Sequence, residues 1–169
     1  MPFFQYAGFE LNFLSGCPNI GVHRLSGIMK QSAEARQKYF ETGEVEYIKQ
    51  MIAADENSNQ LRKEAAEYYL TLRGRVPNWG ENRMAIMSRD TRRSFDITDQ
   101  IAVLPVPYLA IAGTKALTFG LSKIAYERAN EPKELFKIEG ATHLDLYDID
   151  KYVDQAVNKL NMFYTKSLN

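Results

Sequence analysis

The spacing of apolar residues changes along the chain, and each spacing predicts a different element. Phe9, Leu11 and Phe13 alternate with polar residues, which is typical of a half-buried strand over 9–14. A turn-rich run, SGCPNIG, follows over 15–21. From 25 to 54 the apolar spacing becomes three and four residues, which predicts two helices that separate at Thr42–Gly43. The second of these helices is expected over Glu44–Ala54.

Two more helices are expected before the middle of the chain, over Leu61–Leu70 and Arg83–Arg93. The latter is basic, with four arginines: Arg83, Arg89, Arg92 and Arg93. These arginines could clamp an acidic ligand, but a solvated helix face paired with nearby acids is the simpler interpretation.

The stretch from 104 to 148 organises the chain. Tyr108–Ala112 is continuously apolar, as in a strand buried on both faces of a parallel sheet, and Glu134–Glu139 predicts a second strand. Between them, Ser122 is a plausible N-cap for a helix over 123–130. Strand, helix and strand in this order predict a right-handed βαβ unit. Since ligands bind at the carboxyl ends of such strands, a site is expected in the loops 113–119 and 140–148.

The apolar stripe of Ile149–Leu168 predicts a long C-terminal helix. Together these elements predict an α/β fold in one domain, 1–169, with a small, mostly parallel sheet. Its parts would be an N-terminal strand and turn (1–24), a helical cap-like region (25–95), and the βαβ core with the C-terminal helix (96–169).

Composition narrows the function. The 21 basic and 21 acidic residues balance and are interspersed, which argues against binding to nucleic acid or to an anionic membrane. One cysteine, Cys17, and a first segment without a basic region fit a cytoplasmic protein without a signal peptide. The spacing of His23, His143 and Cys17 matches no metal site, and we expect neither a metal nor a cofactor.

The run EPKELFKIEGATHLDLYD, followed by an aromatic-rich helix, resembles the end of a bacterial α/β-hydrolase. It is similar to the dienelactone-hydrolase-like and YcjY-like branch of that superfamily, over about Gly21–Leu168 and more strongly after Leu61. The resemblance implies a truncated α/β-hydrolase fold that corresponds to the C-terminal half of such enzymes.

Hydrolases of this superfamily use a nucleophile on a sharp elbow, a histidine base and an acid that orients the histidine. The resemblance places the base at His143 and aligns the acid with Leu117, which cannot accept a hydrogen bond. The carboxylates that could substitute are Asp145, Asp148, Asp96 and Asp99. The sequence contains no Gly-x-Ser-x-Gly elbow. The resemblance implies that the chain begins after the elbow. Ser15 and Cys17, in LSGC, are the nearest candidate nucleophiles.

Three functions therefore remain open. The chain is either a degenerate homologue with little or no hydrolase activity, a residual esterase or thioesterase that uses His143 with Ser15 or Cys17, or one subunit of a split hydrolase. The strand pair would have an exposed edge, which either the N-terminal strand over 9–14 or a second chain would cover. We expect a homodimer or a partner chain that completes the sheet. A small apolar ester-like molecule is the expected ligand.

Overall fold

The computed structural model describes residues 18–74, 82–95 and 99–168, and their side chains except those of residues 18–24, 93 and 94. Within these ranges the helices are α1 (Pro18–Thr42), α2 (Gln60–Leu70), α3 (Arg89–Ser94), α4 (Phe119–Arg128), α5 (Asp145–Asp148) and α6 (Asp150–Ser167). The strands are β1 (Tyr47–Lys49), β2 (Arg83–Ala85), β3 (Tyr108–Gly113) and β4 (Lys133–Ile138). Short 3-10 helices cover Ile86–Ser88 and Gln100–Val103. The strand expected over 9–14 lies outside the described residues.

The chain divides into two compact units, one of residues 1–53 and 69–96, the other of residues 54–68 and 97–169. The expectation of a single domain over 1–169 remains a prediction. The predicted class is confirmed, since the described chain has small sheets, several helices and a long C-terminal helix.

In the first unit, helix α1 packs against the 3-10 helix Ile86–Ser88 and against α3. Ser32 of α1 is fully buried, and its hydroxyl donates to the Ile86 carbonyl over 3.0 Å and accepts from Asp90 N–H at 3.3 Å. Arg36 forms a two-pronged ion pair with Asp90, and its guanidinium lowers the pKa of that carboxyl to about 2. These contacts hold the irregular segment after β2 onto the long helix.

Two predictions for the first half of this unit are wrong. Helix α1 begins at Pro18, not after residue 24, because proline is well tolerated in the first turn of a helix. The helix expected over Glu44–Ala54 is absent from the described chain. Its central residues form β1, which pairs antiparallel with β2 in the register Tyr47↔Ala85. Val45, Tyr47 and Ile48 favour an extended backbone, and the strand that stabilises it lies more than thirty residues later.

The helix expected over Arg83–Arg93 is also wrong in its first half. Arg83–Ala85 is strand β2 and Ile86–Ser88 is 3-10, so the α-helix begins only at Arg89. The helix predicted over Leu61–Leu70 is confirmed as α2.

The second unit contains the organising stretch. Strands β3 and β4 pair in parallel through all six residues, from Tyr108↔Lys133 to Gly113↔Ile138, as predicted. Helix α4 packs on both strands, and α6 packs on β4. Ile138, at the end of β4, and Leu144, in the following loop, are among the most deeply buried side chains. The core of this unit therefore lies at the carboxyl ends of the strands.

Helix α4 starts earlier than expected. Ser122 is not its N-cap, since the helix begins at Phe119 and Thr118 takes the N-cap position. The predicted loop over 140–148 likewise ends in the short helix α5. Both corrections matter for the site, because they place a threonine and a tyrosine beside the candidate histidine.

Candidate functional site

The site lies where the two parallel strands end together. Thr114 and Lys115 follow β3, and Glu139 to Ala141 follow β4. Thr114 N–H donates to the Ile138 carbonyl and Lys115 N–H donates to the Ala141 carbonyl, each over 3.0 Å. The two loops are thus joined by backbone hydrogen bonds, as expected for a site built from adjacent strand ends.

Thr114 adds a side-chain link between the loops. Its hydroxyl accepts a hydrogen bond from Gly140 N–H at 2.9 Å and donates to the Glu139 carboxylate over 3.0 Å. Gly140 has a φ of +77°, a left-handed conformation that glycine adopts without steric cost. The turn that leads to His143 is therefore held in place from the neighbouring loop.

Gly113 allows the loops to approach this closely. A β-carbon at this position would lie 2.2 Å from the carbonyl oxygen of Ala141, the same oxygen that accepts from Lys115 N–H. Because no side chain fits there, the requirement for glycine is steric.

His143 is half-buried, and both of its ring nitrogens have hydroxyl partners. Nδ1 lies 2.9 Å from Thr118 Oγ1, and Nε2 lies 2.8 Å from the Tyr147 hydroxyl. Thr118 comes from the loop after β3, whereas Tyr147 lies one helical turn beyond His143 in α5. The result is a hydroxyl–imidazole–hydroxyl row across the strand ends.

Aromatic rings pack beside this row. The rings of His143 and Tyr147 meet edge to face with centroids 5.4 Å apart, and Tyr68 meets Tyr147 similarly at 5.3 Å. Such edge-to-face contacts restrict the orientation of the rings they join. Tyr147 is therefore held against the histidine by its hydroxyl and by its ring.

The residues that the sequence proposed for the acid have different surroundings. Leu117 stands at the aligned position and is 41% exposed. Asp145 accepts a hydrogen bond from Thr142 N–H over 3.0 Å, while its own N–H donates to the Thr142 hydroxyl at 3.4 Å. This reciprocal pair closes the turn around His143. Asp99 forms an ion pair with Arg128, and Asp96 lies outside the described residues.

The candidate nucleophiles Ser15 and Cys17 lie outside the described residues. The arginines proposed as a ligand clamp contact protein groups in the first unit. Arg83 lies over the Tyr47 ring, Arg89 donates to Gln31, and Arg92 donates to the Met84 sulfur. Arg93 has no described side chain.

Sequence reasoning missed Thr118 and Tyr147, which the structure brings to His143. Two signals were present. Thr118 directly follows the position aligned with the acid, and Tyr147 is four residues after His143, on the same side of any helix that begins there. Neither residue is charged, so neither matches the carboxylate that the hydrolase pattern requires beside the histidine.

In the part of the chain that the structure describes, no group of three metal-binding side chains comes together. No described helix is long and apolar enough to cross a membrane.

No family model matches the chain. Among curated proteins, PA2218 of Pseudomonas aeruginosa is 32% identical over 134 residues, which are 77% of this chain and 36% of that protein. YcjY of Escherichia coli is 31% identical over 112 residues, which are 65% of this chain and 36% of that protein. Both relatives are described as uncharacterised proteins. The chain thus spans little more than a third of the curated relatives it matches.

Solved structures give longer matches, each over 86% of this chain. The crystal structure of PA2218 superposes with a TM-score of 0.71 at 26% identity, over 46% of that chain. DcsB, solved with its substrate analogue, gives 0.69 at 15% identity over 52% of its chain. The α/β hydrolase GrgF from a Penicillium species gives 0.63 at 21% identity over 50% of its chain. The resemblance drawn from the sequence is thereby confirmed at the level of fold: this chain has an α/β-hydrolase-like fold that spans about half the length of the solved structures it matches.

Proposed function

We propose that this chain is an α/β-hydrolase homologue with little or no ester-hydrolase activity of its own. The observation that supports the proposal is the pairing of both His143 ring nitrogens with hydroxyls, Thr118 on one side and Tyr147 on the other. A hydrolase base needs one nitrogen directed at a nucleophile and the other held by a carboxylate.

A hydroxyl in place of the carboxylate, and a tyrosine hydroxyl in place of the nucleophile, would each lower the catalytic rate. A carboxylate stabilises the imidazolium that forms when the base takes a proton, and a neutral hydroxyl does so far less. Loss of that carboxylate lowers turnover by about 10⁴-fold in the worked case of a serine protease. In addition, the Tyr147 hydroxyl lies beside Nε2, where the hydroxyl of a nucleophilic serine would be expected.

The test is the hydrolysis of p-nitrophenyl acetate by the purified chain, by His143→Ala and by Tyr147→Phe. We expect the wild-type rate to equal that of His143→Ala, because both reflect only nonspecific attack by surface groups. A wild-type rate at least about tenfold above His143→Ala, with Tyr39→Phe, an exposed residue of helix α1, as an unchanged control, would sink the proposal.

A second candidate, a residual esterase or thioesterase, is favoured by one observation. Helix α1 begins at Pro18, directly after Cys17, so the LSGC run leads into a helix as a nucleophile elbow does. Under this alternative His143 would act with Ser15 or Cys17 on a small apolar ester. Labelling of the folded protein with a fluorophosphonate and with iodoacetamide tests it. Selective modification of Ser15 or Cys17, lost in Ser15→Ala or Cys17→Ala, is the result the alternative requires.

We also propose that a second chain completes the sheet. Tyr108 N–H donates to Pro132 O and Thr114 N–H to Ile138 O, so the even-numbered residues of β3 face β4. By the geometry of parallel pairing, the backbone groups of Leu109 and Ile111 then point to the other edge. Among the described residues the sheet has two strands, and we assign this edge of β3 to a second copy in a homodimer.

The split-hydrolase alternative gives the same edge to a different polypeptide, one that carries the elbow. Size-exclusion chromatography with light scattering separates the two, because a homodimer forms from the purified chain alone. The balanced charge and single cysteine fit a cytoplasmic location for either assembly.

A further inference from the structure

We propose that Thr118 is the positioning residue of His143, in place of the carboxylate expected at Leu117, and that it holds the ring with its proton on Nδ1. The inference concerns the resting site and does not depend on whether the chain turns over an ester. It assigns a role to a residue that the hydrolase pattern leaves without one.

The geometry supports this assignment first. Thr118 Oγ1 lies 2.9 Å from Nδ1, within the range of a good hydrogen bond. Thr118 immediately follows Leu117, so its side chain comes from the same loop as the missing acid. The loop itself is fixed at its start by the hydrogen bond from Lys115 N–H to the Ala141 carbonyl. Thr118 and His143 are thus presented to each other by loops that are joined.

The capping pattern of α4 supports it next. Thr118 is the N-cap residue of this helix, and a threonine there ordinarily accepts a hydrogen bond from an N–H in the first turn. No such side-chain hydrogen bond is made. A capping hydrogen bond of this kind is worth about 1 kcal/mol. Thr118 does not make it, and its hydroxyl instead lies in hydrogen-bond contact with the His143 imidazole.

The identity of the other partner decides the position of the proton. Neutral imidazole has one N–H donor and one acceptor nitrogen. A phenol is a better hydrogen-bond donor than an aliphatic alcohol, so we assign Tyr147 as the donor to Nε2. The proton of the ring is then on Nδ1 and is donated to Thr118. This is the tautomer that the acid enforces in a catalytic triad.

The two hydroxyl partners therefore act in opposite directions. Thr118 accepts the hydrogen bond from Nδ1–H and leaves the basic lone pair on Nε2, where it accepts from the Tyr147 hydroxyl. Free histidine favours the opposite tautomer, with the proton on Nε2, so an observed Nδ1–H form requires the site to impose it.

Nitrogen-15 NMR of the imidazole tests the proposal on the resting protein, without substrate. A His23→Gln background leaves His143 as the single histidine, since the chain has two. We expect the neutral ring to be predominantly Nδ1–H. The variant Thr118→Val keeps the shape of the side chain but removes the hydroxyl, and we expect it to shift the tautomer ratio toward Nε2–H by about fivefold, as for one lost hydrogen bond.

Thr118→Ser is the matched control, because it restores the hydroxyl without the methyl group, and we expect it to restore the wild-type ratio. A wild-type ring that is predominantly Nε2–H overturns the proposal. So does an unchanged ratio in Thr118→Val, or a shift that Thr118→Ser fails to reverse, since packing would then be the cause. None of these outcomes depends on ester turnover, so they are distinguishable from a failure of the proposed function.

Discussion

At the scale of single residues, Gly113 and Gly120 differ in what surrounds them. Gly113 ends β3 against the carbonyl of Ala141, whereas Gly120 lies in the first turn of α4 with nothing within 4 Å of an added β-carbon. The two positions are only seven residues apart, so they form a natural pair for substitution by alanine.

We predict that Gly113→Ala destabilises the protein by at least about 1–3 kcal/mol, because the new methyl group forces backbone apart. Gly120→Ala is the control and should stabilise by about 0.5–1 kcal/mol, since it removes backbone freedom from an open helical site. Urea unfolding followed by circular dichroism measures both. Equal effects of the two substitutions would contradict the close approach of the loops.

At the scale of elements, the pairing of β1 with β2 is extended by a side chain. Asn82 has a positive φ of 53°, and its amide donates to the Met51 carbonyl and accepts from Met51 N–H, each over 2.7 Å. The side chain thus makes the two hydrogen bonds that another residue of a strand would make. Asparagine is among the few residues other than glycine that tolerate this backbone conformation.

We predict that Asn82→Ala lowers the free energy of unfolding by about 2–3 kcal/mol, from two lost hydrogen bonds and the cost of a positive φ. Asn82→Gly loses the same hydrogen bonds without the backbone cost, and should be about 1 kcal/mol less damaging. Thermal or urea unfolding of the two variants separates these effects. An Asn82→Ala variant as stable as wild type would mean that the pairing of β1 with β2 does not need the Asn82 amide.

The elements that sequence periodicity predicted correctly are those with strong local patterns. β3, β4 and the C-terminal helix α6 agree with prediction to within a few residues, because a continuous apolar run and a long stripe are unambiguous. β1 was mistaken for a helix because it has only three residues and its partner is distant in sequence. Thr118 was missed because its role arises from a contact across 25 residues, which no local pattern encodes.

At the scale of the whole molecule, the chain spans about half the length of the solved structures whose fold it shares. The proposed completion of the sheet by a second copy can be tested at one backbone position. Ile111 directs its N–H away from β4, so a proline there removes a donor from the edge of β3 that faces away from β4 and leaves the β3–β4 hydrogen bonds intact.

We predict that Ile111→Pro raises the dimer dissociation constant by at least about tenfold, as expected for lost edge hydrogen bonds together with the clash of the ring. Ile111→Val is the matched control, because valine has the same number of side-chain carbons as proline but keeps the N–H, and it should dimerise more tightly than the proline variant. Sedimentation velocity over a range of concentrations gives both constants. A wild-type chain that remains monomeric at every concentration would exclude the homodimer.

The hydrogen bonds that join the two strand-end loops have a consequence for motion. Since Lys115 N–H and the Thr114 hydroxyl both hold the turn that leads to His143, neither loop can open without breaking contacts of the other. The two loops should therefore behave as one cooperative unit in local unfolding. Tyr147 is supplied by the following helix and is not part of those links. If the Tyr147 phenol rotates away from Nε2, His143 and Thr118 would keep their spacing. Nε2 would then be exposed to a bound molecule while the imidazole itself stays in place.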